Sequence, residues 1–283
     1  MSTVNPIEEG LAKQSAAPGA ALTLAQATPV STLRSVAASA TELMYLLRIQ
    51  YAEVRETWMW VIGLASIFPF TTLLFMKFFL ESPSPDVVMR IVSGNIVFPI
   101  IIMGINGLGN HIAWSKQQGQ FTFYASLPIS KINFLLAFMI RGFLMSLPSV
   151  IIMSIVGHFV FHIQIQLTFG LIPMVLLSVA APAGFGILIG FLSKNQDLTG
   201  MITNLLMVFL NFLTPVMIDI KQLPAALQTV SYLFPTTYAA DGLRQLLQGT
   251  WTTSVTIDML ALILFTFLTF WIVVRKMDWR LEK

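Results

Sequence analysis

The residues able to do chemistry are few. His158 and His162 stand four apart, a spacing that puts two imidazoles on one helical face where they could share a metal. A zinc site needs roughly three or four ligands, and no Asp or Glu lies near this pair. The pair therefore reads as interfacial histidines, and no metal is expected. The chain has no cysteine, which excludes a disulfide framework, a cysteine-held zinc and cysteine catalysis. No Ser, His and acid set can be assembled for nucleophilic catalysis, so no catalytic residues are expected. No Gly-x-x-x-x-Gly-Lys-Ser/Thr stretch occurs, so nothing cradles a nucleotide phosphate. Gly104-Ile-Asn-Gly107-Leu-Gly109 sits inside an apolar stretch with no charged helix start after it. That run and the Gly186 to Gly190 pair read as sites of close helix packing. Asn95, Asn106, Asn110, Asn204, Asn211, Ser154 and Thr203 fall inside apolar stretches and read as interhelical glue.

The elements that must position these residues follow from composition. The 283 residues are 56% hydrophobic and 10% charged, with a mean hydropathy of +0.79. Soluble domains carry about a quarter charged residues, so these charges cannot cover a water-facing surface. A soluble enzyme is excluded, as are collagen, coiled coil and wholly disordered classes. The net charge of +3 is small and spread out, which gives no footprint for nucleic acid. An all-α integral membrane protein remains.

A crossing helix needs roughly 20 apolar residues. Stretches free of Asp, Glu, Lys and Arg run over Thr57–Met76, Ile91–Ser115, Gly142–Ser193, Leu198–Ile218 and Met259–Val274. The third holds two spans and a turn, with a polar break at His162-Ile-Gln-Ile-Gln166. Six spans are expected, at about 57–79, 91–114, 134–161, 167–193, 198–218 and 256–274. Six spans put both termini on one side. That side holds Lys13, Arg34, Arg48, Arg55, Lys116, Lys131, Lys194, Arg275, Lys276, Arg280 and Lys283, against Lys77, Arg90, Lys221 and Arg244 on the other. The excess puts both termini in the cytoplasm, in the plasma membrane. Arg141, near the inner start of the third span, is expected to snorkel its guanidinium outward. Gln222 to Ala240 is uncharged but interrupted by Pro224 and Pro235. It reads as a re-entrant pair of short outer helices rather than a seventh span.

The flanking segments are legible too. Residues 1–33 are rich in Ala, Ser, Thr, Pro and Gln, a weakly structured cytoplasmic tail. Early Glu8 and Glu9, with no compact apolar core, do not read as a signal peptide. In residues 34–56, Val36, Ala40, Leu43, Leu47, Tyr51 and Val54 recur at helical spacing, with Glu42, Arg48, Glu53, Arg55 and Glu56 opposite. This is an amphipathic helix at the inner membrane surface, joined directly to Trp58 and Trp60. Lys116 to Lys131 is too polar to span. Phe121, Tyr124 and Ala125 fall at helical spacing there, and Pro128 stops the run. A short surface helix of this kind suits docking of a partner.

Two local patterns carry a resemblance. The first is Gly119, Phe121 to Leu127, Pro128, Ile129, Ser130 and Lys131, then Arg141. The second is Phe234-Pro-Thr-Thr-Tyr-Ala-Ala-Asp-Gly-Leu-Arg244 before the last span. Over about residues 40 to 280 the chain resembles the permease subunit of type-2 (ABC-2) ABC exporters, including the multidrug- and daunorubicin-resistance-like subunits. It departs from relatives where charged residues often precede the glycine; here Ser115, Lys116, Gln117 and Gln118 stand instead.

The resemblance implies half of a membrane channel. Its partners would be a second permease copy, as a homodimer or heterodimer, and two cytoplasmic ATPase subunits. ATP and Mg would bind on the ATPase, with no cofactor in this chain. The residues coupling to the ATPase would be Lys116, Gln117, Gln118, Gly119, Phe121, Tyr124 and Ser126. In the family, spans one, two and five line the path, which here brings in Phe68, Phe70, Phe75, Phe98, Met103, Asn106, Met207, Phe209, Asn211 and Phe212. An apolar, adaptable wall of this kind suits amphiphilic drugs, antibiotics or lipid-like cargo, moved by export across the membrane. The outer re-entrant signature would be Pro235, Thr237, Tyr238, Asp241 and Arg244. Pro69, Pro99 and Pro215 would permit bending of spans one, two and five. The alternatives are a membrane-embedded enzyme or scaffold, or a secondary carrier; the lack of mid-depth carboxylates counts against a carrier.

Overall fold

The computed structural model describes residues 32–79, 84–127, 129–161, 166, 168–213, 220 and 224–276. The tail reading for residues 1–33 falls almost wholly outside them, as do His162 and Pro215. The chain divides into two units, residues 1–38 and residues 39–283; the packing below concerns the second unit. Among the described residues every regular element is helical.

The helices are α1 (Thr32–Phe79), α2 (Pro85–Ile101), a π-helical segment (Ile102–Gly107) and α3 (Leu108–Gln117). After them come α4 (Gln120–Ser126), α5 (Lys131–Phe161), α6 (Leu171–Leu192) and α7 (Gln196–Leu213). The last three are α8 (Ala225–Ser231), α9 (Pro235–Leu247) and α10 (Thr253–Lys276). Among the described residues, four stretches are long and apolar enough to cross a bilayer: Asp86–Gln117, Lys131–Phe161, Leu171–Leu192 and Thr253–Lys276. Among the described residues, α1 adds a shorter apolar stretch, Pro69–Phe79. Thus α2, the π segment and α3 form one rod, and the amphipathic stretch and first apolar stretch belong to one continuous helix. No proline stands between residues 34 and 68, and the one glycine there, Gly63, lies past their junction, so nothing forces a break at that junction.

Proline explains two irregularities. Pro99 in α2 has no N–H to donate, and its ring crowds the preceding turn. The π-helical segment begins three residues later, the kind of local widening that absorbs such a defect. Pro235 opens α9 at its first position, where a missing N–H costs nothing. The stretch read as broken is two short helices, α8 and α9, meeting at that proline.

Small residues set a tight seam. A Cβ added to Gly190 would stand 2.6 Å from the Gly109 carbonyl oxygen, and one added to Gly109 would stand 3.0 Å from the Gly186 oxygen. Only glycines let α3 and α6 run this close. Two apolar cores flank the seam. One, toward the Pro235 end, joins Leu73, Ile96, Ile100, Met153, Met174, Leu243 and Leu262. The other, toward the Gly119 end, joins Leu46, Ile112, Phe121, Tyr124, Phe134, Phe138 and Val273.

Candidate functional site

At the Gly119 end the chain turns from α3 into α4. Gly119 has φ +72°, a left-handed conformation that costs a side chain about 1–2 kcal/mol. Lys116 sits on the last turn of α3 and donates from Nζ to the carbonyl oxygens of Phe191 and Ser193, at 3.3 and 3.2 Å. It thereby caps the C-terminus of α6, where a cation is favoured. Phe121 and Tyr124 are buried and pin α4 down. Phe121 meets Phe134 and Phe191 edge-on at 5.6 and 5.2 Å, and Tyr124 meets Phe134 at 5.1 Å. Each such pair contributes about 0.5–1.5 kcal/mol beyond area burial. Burial raises the Tyr124 phenol above its usual pKa. Gln117, Gln118 and Ser126 remain exposed, and Phe123 joins them at 58% exposure. Of the proposed coupling residues, then, two are anchors, one is a cap, one is a turn, and three present a polar face. Phe123 was not among them, although its position beside Phe121 and Tyr124 marks it as the aromatic on the opposite side of the helix.

The turn into α5 uses Ile129, Ser130 and Lys131. Ser130 Oγ accepts from the Asn133 backbone N–H at 3.1 Å, which is an N-cap. The Ser130 backbone N–H donates to Glu42 of α1. Asn133 Nδ2 donates to the Ser39 carbonyl and hydroxyl oxygens at 3.0 and 2.9 Å. These contacts tie α1 to the start of α5.

Further along α5 the structure corrects the sequence reading. Arg141 does not snorkel outward. It is 8% exposed, and its Nη1 donates to Gln50 Oε1 at 2.8 Å and to Glu53 Oε2 at 2.5 Å, both on α1. His111 of α3 brings Nε2 within 3.3 Å of the same carboxylate oxygen and packs its ring on Phe138 at 5.5 Å. A guanidinium inside apolar protein needs a partner more than it needs water, and the polar side of α1 supplies one. His111 and Arg141 together hold the Glu53 carboxyl below the usual carboxylate range, against the burial that pushes it up. The polar side of α1 is therefore partly turned into the protein: Gln50 is buried, while Tyr51 of the apolar stripe is 60% exposed. A cavity of about 190 Å³ adjoins this cluster, lined by Thr57, Met103, Gly107, Leu108, His111 and Arg141 among others.

The residues proposed to line a path are distributed. Phe70, Phe75 and Phe209 are exposed on α1 and α7, and Phe98, Met103 and Asn211 are buried within the chain. Asn106 and Met207 are half-buried. The side chains of Phe68 and Phe212 lie outside the description. What the structure does bring together is a polar rung at the π-helical segment. Asn106 donates to Asn204 of α7, and Asn110 donates to Asn106 Oδ1 at 2.8 Å and to Thr203 Oγ1 at 3.3 Å.

At the opposite end the Phe234 to Arg244 run has a structural logic of its own. Thr237 Oγ1 donates to the Ser231 carbonyl oxygen at 2.6 Å and meets the Ser231 hydroxyl at 2.9 Å. Tyr238 OH donates to the Tyr232 carbonyl oxygen at 2.9 Å. These bonds lock α8 against α9. Arg244 Nη1 bridges to Asp241 Oδ1 at 3.0 Å, one turn along α9. Asp258, at the start of α10, is buried, and its Oδ2 has no hydrogen-bond partner among the described residues. Among the described residues no group of three or more His, Asp, Glu or Cys could hold a metal.

The architecture is that of an apolar, all-helical membrane domain among the described residues, with a short helix displayed between two long rods. The family model described as ABC-2 type transporter matches residues 41–248, about three quarters of the chain. The protein belongs to that family: it is the permease part of an ABC transporter, a membrane protein that works with ATPase subunits. A search of curated proteins found no match.

Proposed function

We propose that this chain is the membrane half of an ATP-driven exporter of amphiphilic molecules, drug, antibiotic or lipid-like, in the plasma membrane. In this reading six helices cross the bilayer, both termini face the cytoplasm, and α4 lies at the inner surface. Two copies of the permease, identical or paired with a related chain, carry two ATPase subunits that bind ATP and Mg. The displayed face of α4 carries the proposal: Phe123, Gln117 and Gln118 are exposed on a helix that Phe121 and Tyr124 hold rigidly. A rigid anchor beneath an exposed aromatic is how a docking surface is built. With glutamines where relatives often carry charges, the docking is by hydrogen bonds and one aromatic rather than ion pairs.

Two further features support the reading. The exposed apolar faces of α1 (Phe70, Leu74, Phe75, Phe78) and α7 (Met201, Leu205, Phe209) offer a seam for a second copy and a wall for apolar cargo. The Asn106, Asn110 and Asn204 rung gives that wall hydrogen-bonding groups for an amphiphile's polar head.

The test is copurification with the partner ATPase, then uptake of a fluorescent lipophilic cation into inverted vesicles. ATP-dependent uptake is expected, with loss of ATPase copurification in Phe123→Ala. A chain that hydrolyses ATP alone, or termini mapping to opposite membrane faces, would overturn the proposal.

A further inference from the structure

We propose that the Arg141–Glu53–Gln50 cluster, with His111 beside it, is a mechanical link that makes α1 move together with α3 and α5; the inference rests on the ATP-driven reading above. Among the described residues, α1 packs less closely, backbone to backbone, on its neighbours than α3 packs on α6. Long side chains therefore make much of its attachment, and they do so at two levels. Glu42 and Ser39 hold the start of α5 at Ser130 and Asn133. Gln50 and Glu53 hold Arg141, ten residues beyond Lys131, which is about 15 Å further along the helix. A single tie would leave a hinge, whereas two ties at that separation fix α1 and α5 in register.

A buried ion pair is a poor way to gain stability, because apolar side chains of similar volume do as well. What the pair supplies is a fixed length and direction between helices nearly ninety residues apart in sequence. The same carboxylate reaches α3 through His111. Four residues before His111 lies Gly107, the end of the π-helical segment. Its wider i→i+5 hydrogen-bond pattern is an uncommon register, often found at functional sites in helices. The cavity beside Arg141 reaches this segment through Met103 and Gly107. Displacement of α1 would thus arrive, through Glu53 and His111, at the place where the α2–α3 rod has both a weak register and room to change. Arg141 and Glu53 act here as positioning residues; neither touches cargo.

The absence of native cysteine allows a direct test in the complex with the ATPase. Gly107 is exposed, and a Cβ there meets only ordinary contacts, at 3.6 and 3.7 Å. Gly107→Cys is the reporter, and its maleimide labelling rate is read with ATP and with ADP. We expect the two rates to differ by about fivefold or more in the otherwise native chain. Adding Glu53→Gln or Arg141→Met should bring the ratio to within about 1.5-fold while the complex still hydrolyses ATP. Gln50→Ala, which leaves the charges balanced, should give an intermediate ratio. The charge-swapped chain, Glu53→Arg with Arg141→Glu, should recover most of the native ratio. Single variants that hydrolyse ATP and keep the full ratio would overturn the link. So would a charge swap no better than either single change, since burial alone would then be at work. A Gly107→Cys chain labelled equally with ATP and ADP would overturn the link if the complex still shows ATP-dependent uptake, and would overturn the ATP-driven reading if that uptake is absent as well.

Discussion

The two ends of the molecule are held by different chemistry. At the Gly119 end a guanidinium, a carboxylate, an amide and an imidazole join three helices that are far apart in sequence. At the Pro235 end hydroxyls bond backbone carbonyls six residues away, joining two helices that are neighbours in the chain. Charged contacts over long sequence separations are costly to half-remove, because the remaining charge is stranded. Neutral local contacts each contribute only about 1 kcal/mol. The first arrangement suits transmission between helices, and the second suits a corner that keeps its shape.

Several changes would break or sharpen that contrast, beginning with the largest expected effect. Glu53→Leu strands the buried Arg141 charge and should cost about 3 kcal/mol or more, read as a lowered midpoint of thermal unfolding of the purified protein. Arg141→Met should cost roughly half as much, because the Glu53 side chain is 31% exposed and can turn to water. Equal costs would mean that burial does not set the asymmetry. At the other end, Thr237→Val removes the donor to Ser231 and should cost about 1–2 kcal/mol. Tyr238→Phe should cost about 1 kcal/mol, with no change in ATP-driven labelling of a cysteine at position 107. Gly119→Ala should cost about 1 kcal/mol through its positive φ.

Acid separates the ends as well. The folded-state pKa of Glu53 is lowered, so its contribution is fully present above the ordinary carboxylate value of about 4.3. It is lost as pH falls through the lowered folded value. The native chain and Glu53→Gln should therefore differ by a constant amount in unfolding midpoint above about pH 7.5, beyond the histidine range in which the neighbouring His111 contributes, and converge in strong acid. The difference between the native chain and Thr237→Val should not change with pH, because no ionisable group is removed.

Much of this architecture could be read from local sequence. Charge scarcity dictates a membrane class, apolar runs mark the long helices, and Pro235 marks the break between α8 and α9. The Gly-x-x-x-Gly pair on α6 foretells the seam with α3, since only missing side chains permit that approach. The spacing of Phe121 and Tyr124 foretells a helix pinned on one face.

Other features had no local signal. Arg141 read as a lone cation near an interface, and Glu53 as one of several acids on a solvated face. Their pairing joins positions 88 apart, and periodicity within one helix says nothing about which residue of another helix lies opposite. The same holds for Asn106 and Asn204, 98 apart. Sequence determined which segments leave water, because transfer free energy is a property of each residue and its near neighbours. Tertiary packing decided which buried charges and amides meet, because that depends on the rotation and register of whole helices against one another.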